Sequence, residues 1–325
     1  MLFRSTLIDD KPARFGNYMP ENFDLTFQGT VTVRRALQFS LNVPAIAVLD
    51  KAGVNRLSAR LTQAGASIVL PSGEAPGLAM GLGGVGVRLN DLVMLYSGLA
   101  RLGSVRPLTE QDGEASQAAR LLDPVAAWYV GNILIGAPPP DNAPAGQIAY
   151  KTGTSYGYRD AWAIGFDGRM TIGVWVGRPD GAPVPGLIGR VSAAPILFDA
   201  FARSGHARIP LPRPPKGVIV AHTDKLPPPL QRFQTGGAPV SLAEPPRIMF
   251  PPDGARLELT GNAPDALALK IAGGRGPLTV MVNGVPLDAQ AGRRTFFFTP
   301  DGPGFARLTV MDARGASDSV TVRLQ

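Results

Sequence analysis

The chain has 325 residues, 45% hydrophobic and 18% charged, a globular composition with length enough for two domains and a sizeable core. It has no cysteine, which excludes disulfides, thiolate nucleophiles and cysteine zinc sites. Its two histidines, His206 and His222, lie in proline-rich surroundings that offer little to a Ser-His-Asp triad or a histidine metal site. The net charge of +7 suits an anionic neighbour such as wall polymer or lipid, but the cations are scattered, so nothing marks a nucleic-acid surface.

Taken in order, the first half reads as helical. The opening MLFRSTLIDDKPARFG lacks the apolar run and small-residue cleavage site of a signal peptide, and no later stretch reaches the roughly eighteen apolar residues of a membrane span. Thr30 is expected to cap a helix on which Val31, Val33, Ala36, Leu37 and Ser40 trace one face. Pro44 fits the first turn of a second helix over Ala45–Lys51, closed by Gly53. A third runs from Asn55 to Ala64 and a fourth, capped by Asn90, from Asp91 to Leu102. Asp123 ahead of Pro124 opens a fifth that reaches about Ile135, and Gly189–Arg203 makes a sixth. Gly81 to Gly86 satisfies G-x-G-x-x-G, yet no strand precedes it and no acid follows at the spacing a dinucleotide fold needs; it reads as a glycine-rich turn packed on a helix.

Between the fifth and sixth helices lies YKTGTSYGYRDAWAIGFDGRMTIGVWVG. Two apolar runs, Ala161–Phe166 and Met170–Val176, flank Asp167-Gly168, a dipeptide that favours the positive φ angles of a tight hairpin. Lys151-Thr152-Gly153-Thr154 then stands at or just before the first strand, a stiff support from which a lysine can present a fixed charge to a carboxylate. Farther upstream, Ser40-Leu41-Asn42 places a hydroxyl and a carboxamide at the end of the first helix, where a serine can relay a proton and an asparagine can hold an amide. Each tetrapeptide or tripeptide alone is more often a piece of ordinary helix-end or strand chemistry.

From Ile209 to Pro252 the chain changes character, with twelve of its 32 prolines, and reads as an extended, semi-rigid connector. Beyond it come seven short β-rich runs: Arg247–Phe250, Arg256–Leu259, Ala266–Ile271, Leu278–Val282, Arg294–Phe298, Phe305–Met311 and Ser319–Leu324. Regular turn signals such as Asn283-Gly284 separate them, as in a small β-sandwich. Phe296–Phe298 is either core or an exposed docking patch.

The pair S-x-N and K-T-G, with the surrounding YMPENFDLTFQGTVTVRRALQFSLNVPAIAVLDKAG and YKTGTSYGYRDAWAIGFDGRMTIGVWVGRPDG, resembles the class A penicillin-binding proteins of the 1C group. The resemblance covers essentially the whole chain. It implies an α+β fold: an incomplete transpeptidase domain of β-lactamase-like type, helices packed on an antiparallel sheet, over residues 1–205. A proline-rich linker, 206–244, and an all-β Ig-like sandwich, 245–325, would follow. By the same resemblance Ser40 is the proton-relay serine, Asn42 holds the amide, Lys151 supplies charge, and Thr152, Gly153 and Thr154 bind the substrate or β-lactam carboxylate. The Thr154 N–H would complete half of an oxyanion hole. No cofactor and no metal is implied. The implied ligands are peptidoglycan stem peptides and β-lactams, on the periplasmic side of a bacterial inner membrane, with cell-wall, divisome or elongasome proteins as partners of the β-sandwich.

One departure is plain: no serine or threonine has a lysine three positions on, so the family's S-x-x-K nucleophile is not in this sequence. The expectation is therefore a truncated transpeptidase part that is inactive alone. A non-catalytic wall-binding or scaffold protein is the alternative, and a hydrolase using another serine, such as Ser5 or Ser155, a third.

Overall fold

The computed structural model describes residues 3–70, 75–111, 117–141, 143–234, 236–239, 245–259, 266–287, 292–313 and 315–325. They fall into two compact units, one of Met1–Asp10, Phe15–Tyr18 and Gly29–Gly237, the other of Lys11–Arg14, Met19–Gln28 and Ala238–Gln325.

In the first unit β1 (Leu7–Asp10) and β2 (Gly29–Thr32) pair antiparallel, from Leu7 opposite Thr32 to Asp10 opposite Gly29. Helix α1 (Val33–Gln38) follows without a loop. Its cap is Thr32, whose hydroxyl accepts from the Arg35 N–H, and not Thr30. Pairing with β1 keeps the β-branched run extended for two more residues, and Thr30 instead donates its hydroxyl proton to Asp9 at 2.6 Å. Helix α2 (Asn42–Ala52) starts three residues earlier than the proline suggested, because Pro44 is tolerated anywhere in the first turn, and ends at Gly53 with φ +90°. Helix α3 (Val54–Gln63) begins at once.

Helix α4 (Leu89–Ala100) starts after Arg88, so Asn90 lies inside its first turn. Its end is set by Gly103, φ +86°, whose N–H returns to the Gly98 carbonyl at 2.7 Å. Helix α5 (Pro124–Leu134) has the expected start, with Asp123 accepting from the Val125 N–H. The glycine run packs on α2: a Cβ on Gly81 would come within 2.8 Å of Leu49.

A three-stranded antiparallel sheet, ordered β5-β4-β3, forms the middle of this unit: β3 (Ala149–Thr154), β4 (Asp160–Phe166) and β5 (Thr171–Gly177). The sequence of β4 alternates large and small, and each set takes one face. Phe166 meets Tyr96 of α4 edge-on at 6.3 Å and approaches Gly131 of α5. Ala161, Ala163 and Gly165 turn to the opposite face, where Gly165 lets Leu197 of α6 (Ala194–Arg203) come close and Tyr150 stands edge-on to Phe198. A π-helical turn, Gly189–Ala193, leads into α6.

The β4–β5 turn is not the positive-φ hairpin expected. It spans four residues, and the buried Asp167 carboxylate holds it by accepting from the Arg169 and Met170 N–H groups, both at 2.7 Å. Gly168 is required for another reason, since a Cβ there would lie 2.2 Å from the Pro210 carbonyl.

The proline-rich segment is also not a free connector. As far as Gly237 it belongs to the first unit. Its own prolines leave carbonyls without internal partners, and neighbouring side chains supply donors. Trp128 donates to the Pro212 carbonyl, Ser5 to Ala221 and Thr6 to Leu230, while the Tyr129 hydroxyl donates to the Ile219 carbonyl and accepts its N–H. Leu226 is buried against Phe3 and Tyr129. Residues 240–244 of the expected linker lie outside the described residues.

In the second unit the short runs become strands. One sheet orders β6 (Arg247–Phe250), β8 (Leu267–Ala272) and β11 (Thr295–Phe298). The other orders β7 (Arg256–Leu257), β13 (Ser317–Leu324), β12 (Gly304–Met311), β9 (Thr279–Val282) and β10 (Val285–Pro286). Inward residues of both sheets, among them Leu269, Ile271, Val280, Leu308 and Val322, form one apolar cluster. Phe296 and Phe298 point into it, whereas Phe297 is 60% exposed. Asn283 and Gly284, both at positive φ, make the two-residue turn their sequence announces.

Candidate functional site

Helix α1 closes on a corner. The Ser40 N–H returns to the Leu37 carbonyl and the Leu41 N–H to the Ala36 carbonyl, which is the paired bonding of a Schellman end. That end wants a left-handed residue, usually glycine; here Ser40 takes it, with φ +57°, at a cost of about 1–2 kcal/mol. Leu41 is buried with Ile8, Val31 and Ala36 beneath the corner, and α2 starts on the next residue. Ser40 is thus held exposed between two helices, and Asn42 occupies the first position of α2.

Lys151 comes from β3, an edge strand of the three-stranded sheet. Its ammonium donates to Ser40 Oγ and, at 2.7 Å, to the Thr152 carbonyl. Burial lowers its pKa from the usual 10.5 to about 8. The structure therefore brings Lys151 and Ser40 into direct contact. Strand alternation puts Gly153 on the same face as Lys151 and the side chains of Thr152 and Thr154 on the other. Thr154 Oγ1 accepts the Gly189 N–H at 3.0 Å, so its oxygen is engaged at the head of the π-helical turn.

Two supporting residues escaped the sequence reading. A Cβ on Gly189 would lie 2.3 Å from the Gly153 carbonyl and 2.7 Å from that of Trp162, so only glycine lets the turn seat on the strand. Trp162, cross-strand from Gly153, packs behind it and lies 6.2 Å from Trp175, ring centre to ring centre. The alternation in β4 was a signal for Trp162; nothing local distinguished Gly189 from other turn glycines.

A cavity of about 290 Å³ between α4, α5 and the proline-rich segment is lined by Leu99, Trp128, Ile135 and Leu211, and does not include Lys151 or Ser40. Among the described residues no His, Asp and Glu side chains gather as a metal site, and no helix is long and apolar enough to cross a membrane.

Residues 236–323 match the Penicillin-Binding Protein C-terminus Family. Penicillin-binding protein 1C of Escherichia coli (strain K12) is 43% identical over 201 residues, covering 61% of this chain and 26% of that protein. The chain carries the C-terminal part of a class A penicillin-binding protein of the 1C type. Other penicillin-binding proteins are more distant: protein 1B of Vibrio cholerae is 29% identical over 202 residues, 55% of this chain and 26% of its own length. The chain thus spans about a quarter of these curated relatives. Among solved structures, the penicillin-binding protein PonA1 from Mycobacterium tuberculosis superposes with a TM-score of 0.58 at 19% identity, covering 70% of each chain. The PonA1 complex with penicillin V gives 0.56 at 20% identity, covering 66% of this chain and 68% of that one. The helices and sheets of the matched part of this chain therefore follow the fold of solved penicillin-binding proteins.

Proposed function

We propose that the first unit supplies the S-x-N and K-T-G elements of a D,D-transpeptidase site that cross-links peptidoglycan stem peptides. The observation that carries this reading is the Lys151–Ser40 hydrogen bond, which joins the two motifs at the edge strand of the sheet. In this reading a serine outside the present sequence attacks the D-Ala-D-Ala carbonyl, Ser40 and Lys151 pass its proton toward the leaving D-alanine, and an amine of a second stem peptide takes the acyl group. Asn42 holds the substrate amide, and Thr152, Gly153 and Thr154 with the Lys151 charge receive its carboxylate. Developing charge at the carbonyl oxygen is met by the Thr154 N–H, where preorganised donors count most.

The sequence has no S-x-x-K, so this chain binds and does not acylate. We read 245–325 as an Ig-like sandwich, on the strength of its two sheets over one core. The working location is the periplasmic face of the bacterial inner membrane.

The test has two arms. Incubation with a fluorescent penicillin, followed by denaturing electrophoresis, should leave no labelled band. Titration with benzylpenicillin should quench tryptophan emission saturably, through Trp162 behind Gly153, and K151A should abolish the quench. A covalent band, or saturable binding unchanged in K151A, overturns the reading.

A further inference from the structure

We propose that the second unit is an intramolecular clamp, which grips the chain between β1 and β2 and through it holds the Ser40 corner in place. Adjacent antiparallel strands are ordinarily joined by two to five residues. Here β1 and β2 are closed at Asp10 opposite Gly29, yet the whole of 11–28 intervenes. Most of that connection belongs to the second unit and not to the unit of the strands it joins: Lys11–Arg14 and Met19–Gln28.

Three contacts fasten it there. Ala13 and Arg14 pair antiparallel with Pro239 and Ala238. Lys270, on the outward-facing set of β8 between the inward Leu269 and Ile271, places its ammonium 3.3 Å from the centre of the Phe23 ring. The same ammonium donates to the Phe23 carbonyl at 2.8 Å, and the Asp24 carboxylate favours its charge. The gripped element is itself shaped for this. Asn22 is buried and donates to the Thr26 carbonyl, Asp24 accepts the Thr26 N–H, and the Leu25 N–H returns to Asn22. The site recognises a preformed turn that offers an aromatic ring, a carbonyl and a carboxylate to one cation.

The reach to Ser40 follows from continuity of the chain. Past Gln28 the chain enters β2 at Gly29, and Thr32 is both the last residue of β2 and the cap of α1. Helix α1 ends at the Ser40 corner. Only the short irregular stretch Thr26–Gln28 separates the gripped turn from β2, and from Gly29 strand and helix run without a loop to that corner, so they transmit a constraint rather than absorb it. Lys270 is accordingly a positioning residue for Ser40. The clamp stands on its own contacts, whatever chemistry Ser40 performs.

Hydrogen exchange on the full chain, read by mass spectrometry, tests it with K270M, K270R and F23A. In K270M and F23A, amides of 19–28 should exchange at least tenfold faster and those of 33–41 several-fold faster, with β12 and β13 unchanged. K270R should restore protection to both stretches. Unchanged protection of 19–28 would show that there is no clamp, and acceleration that stops at Gln28 would show that the grip does not reach Ser40. If K270M also loosens β12 and β13, F23A decides, because it removes the same contact without altering the sheet.

Discussion

The Lys151 ammonium donates to Ser40 Oγ, joining residues 111 positions apart in the chain. The contact sits where burial disfavours charge, and the lysine pKa falls from 10.5 to about 8. The folded state therefore binds this proton less readily than the unfolded chain does. That makes stability highest at alkaline pH and lost as pH falls through 8. The melting temperature of the first unit should climb between about pH 8 and 10, and K151M should flatten the climb and raise the value at pH 7. Melts by circular dichroism across that range check it; parallel profiles for wild type and variant would refute it. Lys270 has the same low value, about 8, but belongs to the second unit, whose own pH slope K151M should leave intact.

At the head of the π-helical turn, Gly189→Ala forces a methyl group to within 2.3 Å of the Gly153 carbonyl. The turn must lift from β3 and lose its bond to Thr154. We expect a cost of about 1–3 kcal/mol, seen as a lower melting temperature, together with a weakened benzylpenicillin response. A variant as stable as wild type would show that the strand yields more easily than its position implies.

Tyr129 serves the proline-rich segment twice, donating to and accepting from Ile219. Y129F leaves both backbone groups to find water and should cost about 1–3 kcal/mol. Limited proteolysis should then cut within 206–237 sooner than in wild type. Equal cleavage rates would mean that the segment is held mainly by its apolar contacts.

In the second unit the two faces of the strands predict opposite outcomes. Leu269→Ala empties a fully buried position and should cost about 2–5 kcal/mol, in the unfolding of that unit alone. Phe297→Ala, on the exposed face, should change stability by less than about 0.5 kcal/mol. Equal losses at the two sites, measured by urea unfolding, would contradict the alternation.

Legibility in the sequence tracked how local the determining physics is. Asp123-Pro124 announced α5 because cap and first-turn proline act within four residues. Asn283-Gly284 announced its turn for the same reason. The start of α1 was misplaced because pairing with Asp9 and Ile8 of β1, remote in sequence, keeps Thr30 and Val31 extended. The β4–β5 turn was misjudged because Gly168 answers to Pro210 across the fold and not to its own φ angle. For the candidate site, the residue types at Ser40 and Lys151 were visible as motifs, whereas their contact is a tertiary fact. That Thr152 and Thr154 lie across the strand from Lys151 follows from alternation once the strand is granted. The fastening of the proline-rich segment was invisible, since its donors are Ser5, Thr6, Trp128 and Tyr129, all remote in sequence.

The bond from Lys270 to Phe23 spans 247 positions, and it bears on how chimeras of such proteins are cut. A graft taken at the borders of the matched stretch, 236–323, would leave its partner turn behind in the recipient. The transplanted sheet would meet a foreign turn in place of its own, and Lys270 would face whatever ring or charge that turn presents. Exchange between relatives should therefore move two pieces of chain together, the 11–28 connection and everything after Gly237.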